Sequence, residues 1–111
     1  MKRTGSRIVM EALTRHGVEV IFGYPGGEVL PLYDEMLNWP GVRHILVRHE
    51  QCAAHMADGY ARASNKLVSC NVHVAPGLGN AIGSMKRMII PALSFSTRLG
   101  KITMFFCTSQ I

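Results

Sequence analysis

Arg48-His49-Glu50-Gln51 lies between the run His44-Ile45-Leu46-Val47 and the small-residue segment 53–61. A short apolar run leading into an Ala-rich stretch reads as a buried strand passing into a helix, with Glu50 at the turn. One reading of Glu50 is a first-turn acid stabilised by the helix dipole. The other is a proton-handling carboxylate at the C-terminal end of a strand, where open α/β sheets bind their ligands. Two more stretches carry residue types suited to chemistry. Gly23-Tyr24-Pro25-Gly26-Gly27 puts three glycines and a proline into five residues. That composition makes a tight loop where backbone can approach a ligand closely, although by itself it is equally a plain turn. His73 precedes Ala75-Pro76-Gly77-Leu78-Gly79-Asn80, a second Gly/Pro loop. Histidine titrates in the range that suits proton transfer, and a strand-end histidine satisfied by backbone groups is the competing reading. His49, Glu50, Cys52 and His55 superficially suggest zinc. The H-E-x-x-H spacing requires a second histidine at position 53, which is Ala53.

The elements that must hold these residues follow from the pattern. Thr4 can cap a helix whose apolar positions Ile8, Val9, Ala12 and Leu13 recur at helical spacing, with Gly17 as its stop. Residues 18–22 read as the first strand. Residues 28–38 place Val29, Leu32, Tyr33 and Leu37 on one helical face, with Pro31 tolerated in the first turn. A second strand at 45–47 precedes a helix running from Glu50 to about residue 63, closed by Ser64-Asn65. Residues 67–74 form a third strand, with Val68, Cys70, Val72 and Val74 alternating against Ser69, Asn71 and His73. A helix is expected from Ala81 to about Ile90, broken by Pro91, and 103–107 is a last strand. Alternating helices and strands predict an α/β fold: an open parallel sheet flanked by helices. In such a sheet the strand ends share one edge, which brings together the Tyr24-Pro25-Gly26 loop, Glu50, and His73 with residues 76–80.

The 111 residues bound the chain to one domain, large enough for a usable core. No apolar run reaches the roughly 18 residues needed to span a bilayer, so no membrane partner and a cytoplasmic location are expected. Cys52, Cys70 and Cys107 lack C-x-x-C spacing and read as free thiols. The formal net charge of +5 is unevenly spread along the chain, since all seven acids lie between Glu11 and Asp58. The later cations have neither aromatic platforms nor an RNA-binding signature between them, so no nucleic-acid partner is expected.

Three motifs in order carry a resemblance. Gly23 to Gly27, Arg48-His49-Glu50-Gln51, and Ala57-Asp58-Gly59-Tyr60-Ala61-Arg62-Ala63 resemble the N-terminal pyrimidine-binding domain of thiamine-diphosphate-dependent enzymes, closest to the acetolactate synthase large subunit. The stretch from Asn71 to Ala81 is more similar to the benzoylformate decarboxylase branch. The similarity covers roughly residues 4–85. It implies thiamine diphosphate as cofactor, with Glu50 bonded to N1′ of the aminopyrimidine and kept protonated by desolvation in a dry pocket. It also implies Tyr24, Pro25 and Gly26 near cofactor and substrate, Pro76 and Asn80 bordering the pyrimidine, and His73 as an acid/base group for a 2-oxo acid substrate. The residues give no support for FAD, which some acetolactate synthases retain.

Family members also carry a central domain and a second cofactor domain, which holds the diphosphate through Mg²⁺ and a Gly-Asp-Gly motif, and neither is expected within these residues. The expectation is therefore a truncated pyrimidine-binding domain over 1–111, catalytically incomplete alone, with 86–111 a divergent tail. Either Thr108-Ser109-Gln110 echoes the family's strand end, or the tail is instead an insertion or sequence from a shifted reading frame. Two alternatives stand beside it: a binding subunit completed by a separate diphosphate-binding domain, and a non-catalytic remnant. An incomplete sheet would expose an edge strand, which predicts self-association.

Overall fold

The computed structural model describes the backbone of residues 3–94 and 102–107 and the side chains of residues 3–84. The elements are α1 (Gly5–Arg15), β1 (Val20–Gly23), a short 3₁₀ turn (Gly27–Val29), α2 (Leu30–Met36), β2 (Arg43–Leu46), α3 (Glu50–Ser64), β3 (Val68–His73), α4 (Val74–Ser94) and β4 (Ile102–Cys107). All strands are parallel, in the order β2-β1-β3-β4. The parallel α/β architecture read from the sequence is the one observed.

Strand alternation divides the core into two layers. Val20 and Phe22 of β1, with Val68, Cys70 and Val72 of β3, pack against Ala53, Ala54, Ala57 and Ala61 of α3 and Ala81 of α4. A stripe of alanines lets the helix backbone lie close on the sheet, and the valines opposite fill the pleat. Ile21 points the other way, into a cluster with Met10, Leu13 and Val18, covered by Leu32, Met36 and Trp39. Burying an apolar side chain of this size stabilises the fold by about 1.5–3 kcal/mol.

Local chemistry sets the helix ends. Thr4 is extended, and its hydroxyl accepts the Arg7 N–H at 3.3 Å, so the expected cap is present. The buried stripe of α1 is Met10 and Leu13, while Ile8 is 53% exposed, so the expected face is rotated away from Ile8. Leu37 is likewise exposed, because α2 stops at Met36 and Leu37 lies beyond the last turn. Asn65 ends α3 in the left-handed conformation, φ 55°, where its short amide side chain is tolerated.

The largest difference from expectation concerns α4. Residues 75–80, expected as a loop, form its first turns, and the helix follows β3 directly through Val74 at φ 49°. Pro76 falls within the first turn, where its missing N–H has no helical partner to lose. A β-branched residue with positive φ costs on the order of 1–3 kcal/mol, so the surrounding packing must hold Val74 in place. The expected break at Pro91 is also absent, since the backbone remains helical to Ser94. Proline removes one hydrogen bond, but its fixed φ suits a helix. The strand expected at 103–107 is β4, while Thr108-Ser109-Gln110 and most of 93–97 lie outside the described residues. Among the described residues, no helix is long and apolar enough to cross a membrane.

The α2-facing side of the sheet buries polar groups. The Tyr33 hydroxyl, His44 Nε2, Ser69 Oγ and both Asn71 amide atoms are buried without a hydrogen-bond partner among the described residues. Burial pushes the Tyr33 hydroxyl up to about 12, with the nearby Asn71 amide pulling weakly the other way. His44, packed edge-on against Tyr33 at 4.8 Å, is held below its ordinary value by the same desolvation.

Candidate functional site

Parallel strands put their C-terminal ends on one edge, and the three stretches singled out in the sequence meet there. β2 leads through Val47 to His49, whose extended backbone caps α3 while its Nδ1 accepts the Gln51 N–H at 3.2 Å. Glu50 is therefore the first residue of α3, half-buried. Its Oε2 accepts a hydrogen bond from Asn80 Nδ2 at 3.0 Å, joining the start of α3 to α4. Ser84 adds a second tie by donating to the Gln51 carbonyl at 3.3 Å. The close approach of α4 depends on Gly77. A Cβ there would lie 3.3 Å from Glu50 Oε1 and 3.4 Å from its Cγ.

The Gly23-Tyr24-Pro25-Gly26-Gly27 segment is a loop, as expected, and it lies beside the end of β3. The Tyr24 N–H reaches the Asn71 carbonyl at 3.4 Å, and Gly26 opens the 3₁₀ turn by accepting the Val29 N–H at 3.2 Å. A Cβ at Gly26 would run into the His73 ring, so only glycine lets this loop cover that imidazole. His73 is the last residue of β3, and its Nε2 bonds the Glu28 carboxylate. The Glu28 backbone N–H also faces Nε2, at 3.4 Å.

Charge orders the cluster. Partial burial pushes Glu50 up, but the Asn80 amide, the Glu50 backbone N–H and the charges of His49 and His73 outweigh it, holding the carboxyl below its ordinary 4.5. The expectation that desolvation keeps Glu50 protonated concerns a dry, closed pocket, whereas at this open edge the lowering groups prevail. Glu28 is also held low, first by its hydrogen bond to His73 and then by its own backbone N–H.

The structure thus brings Gly26 against His73 and Asn80 against Glu50. Tyr24 is 42% exposed on the same edge. Pro25 is half-buried beside it, and Pro76 lies exposed in the first turn of α4. Sequence reading missed Glu28, although an acid directly after a Gly-rich loop at a strand end was the available signal. Among the described residues, no three His, Cys, Asp or Glu side chains converge on a point that could hold a metal. What the edge assembles is a carboxylate with an amide donor and a carboxylate-paired imidazole, groups able to hold and exchange protons.

The thiamine pyrophosphate enzyme N-terminal TPP binding domain matches residues 3–89. This chain belongs to that family. As a TPP-enzyme N-terminal domain it is 44% identical over 103 residues to the acetolactate synthase large subunit of Lactococcus lactis, covering 90% of this chain and 18% of that protein. It is 52% identical over 81 residues to the acetolactate synthase large subunit of Haemophilus influenzae, covering 73% and 14%. The fold is similar to the thiamine diphosphate-dependent 4-hydroxybenzoylformate decarboxylase of Rhodococcus jostii, with a TM-score of 0.75 and 30% identity over 92% of this chain and 18% of that one. The TPP-enzyme domain therefore spans less than a fifth of each of these relatives.

Proposed function

We propose that this chain forms the pyrimidine half of a thiamine-diphosphate site that acts on 2-oxo acids. The carrying observation is the Glu50–Asn80 pair at the strand edge, with Gly77 leaving room beside the carboxylate. This is a donor-rich, half-open carboxylate of the kind that suits an aminopyrimidine ring. When bound, the cofactor supplies the electron sink for decarboxylating or ligating 2-oxo acids. Glu50 holds a proton at N1′ of the pyrimidine. Asn80 fixes the carboxyl, and Tyr24, Pro25, Gly26 and Pro76 border the ring. His73 exchanges protons with the substrate.

Closure of the site by a further domain would remove water from Glu50 and push its pKa upward, toward the protonated form that donates to a ring nitrogen. That domain, carried by another chain or another part of the protein, would hold the diphosphate through Mg²⁺. Oligomerisation follows from that shared site.

Titration calorimetry tests the reading. Thiamine diphosphate with Mg²⁺ is added to the chain alone and to the chain mixed with a separately produced diphosphate-binding domain of a relative. Binding is expected only in the mixture and at least about tenfold weaker for Glu50→Gln, the loss of one charged hydrogen bond. Absence of binding in both, or indifference to the substitution, would sink it.

A further inference from the structure

His73 Nε2 faces two groups of a single residue 45 positions away: the Glu28 carboxylate, and the Glu28 backbone N–H at 3.4 Å. The two demand opposite states of the nitrogen. The carboxylate needs Nε2–H as donor, and the N–H needs a bare Nε2 as acceptor. Magnitude decides between them. A charge-assisted bond to carboxylate is roughly twice as strong as a neutral one, and the N–H contact lies at the long end of hydrogen-bond range.

We infer that Glu28 is a positioning residue that locks His73 in the Nε2–H tautomer and leaves Nδ1 as the nitrogen that takes and returns a proton. Gly26 supports this arrangement. A Cβ at this position would overlap Cγ, Cδ2 and Nδ1 and displace the ring. A proton arriving at Nδ1 makes the imidazolium, whose charge the Glu28 carboxylate offsets. When the proton leaves, the neutral Nε2–H tautomer returns with no movement of the ring. The Gly-rich loop therefore carries a carboxylate that sets the state of the strand-end histidine, in addition to closing over it. The role in proton exchange rests on the function proposed above, whereas the tautomer itself does not.

The test reads the tautomer directly in the full chain without cofactor. Histidine labelled with ¹⁵N is incorporated, and long-range proton–nitrogen correlation spectra are recorded in mildly alkaline buffer. His55, exposed on α3, serves as the internal reference for a ring in water. His73 is expected to show the Nε2–H pattern at a population clearly above that of His55. Glu28→Ala removes the carboxylate and keeps the backbone N–H that faces Nε2, so the population shifts toward Nδ1–H. Glu28→Asp restores the Nε2–H excess at least in part. A wild-type ratio equal to that of His55 overturns the inference, and this measurement stands even where a variant fails to fold. An unchanged ratio in folded Glu28→Ala does the same. Failure of thiamine diphosphate to bind would remove the functional reading and leave this result intact.

Discussion

Asn80 donates to Glu50 at 3.0 Å across a separation of 30 residues, so the side chain that opens α3 is fixed by the second turn of α4. Because Glu50 sits below its ordinary value of 4.5, its contribution to stability is complete above that value and fades as pH falls through the lower folded-state value. Asn80→Ala removes the largest group lowering it. A hydrogen bond to a charged group contributes about 1.5–3 kcal/mol, and solvent screening of a half-exposed carboxylate reduces this to about 1 kcal/mol here. Urea unfolding should show that loss near neutral pH and a narrowing gap between variant and wild type as pH falls below the ordinary 4.5. A gap that stays constant with pH would contradict the assignment.

Glycines 26 and 77 both allow close approach, yet they should respond differently to alanine. At Gly26 the new methyl meets the rigid His73 ring, which predicts a loss of about 1–3 kcal/mol from overpacking. At Gly77 it meets the Glu50 side chain at 3.3 Å, a tight contact without overlap whose strain a gain of up to about 1 kcal/mol in helix propensity offsets. Thermal unfolding should therefore place Gly26→Ala well below Gly77→Ala. The reverse order would show that the loop does not rest on the imidazole.

Ser69 is fully buried, and its hydroxyl has no hydrogen-bond partner among the described residues. Replacing such a group by an apolar one removes a desolvation cost of about 1–3 kcal/mol, partly offset by the small cavity left behind. Ser69→Ala should be neutral to about 1 kcal/mol more stable in urea. A clear loss would reveal a partner for the hydroxyl.

Sequence periodicity made most of the scaffold legible, because valines alternate along β3 and alanines recur along α3 at spacings that only one packing satisfies. The shared strand edge followed from parallel topology, so Glu50, His73 and the Gly-rich loop could be placed together before any coordinate. What escaped the sequence was the boundary between β3 and α4. Pro76, Gly77 and Gly79 together resemble a loop, and nothing local reveals that Val74 takes a positive φ and lets the helix start at once. Glu28 escaped for a related reason. Its partner is 45 residues away, and only the closed fold shows that the two face each other.

β1 lies between β2 and β3, with Ile21 beside His44 on one side and Ser69 on the other. Pairing β1 with the strand that carries His73 therefore closes a loop containing β2 and α3. Contacts of such long sequence separation form slowly, because the intervening loop is closed before any pairing compensates for its lost entropy. The Gly26–His73 and Glu50–Asn80 contacts both join residues that precede β3 to β3 or to the helix that follows it. Competence to bind at this edge thus depends on the same long-range contacts that define the native state, and a ligand that recognises the edge stabilises the whole fold by mass action.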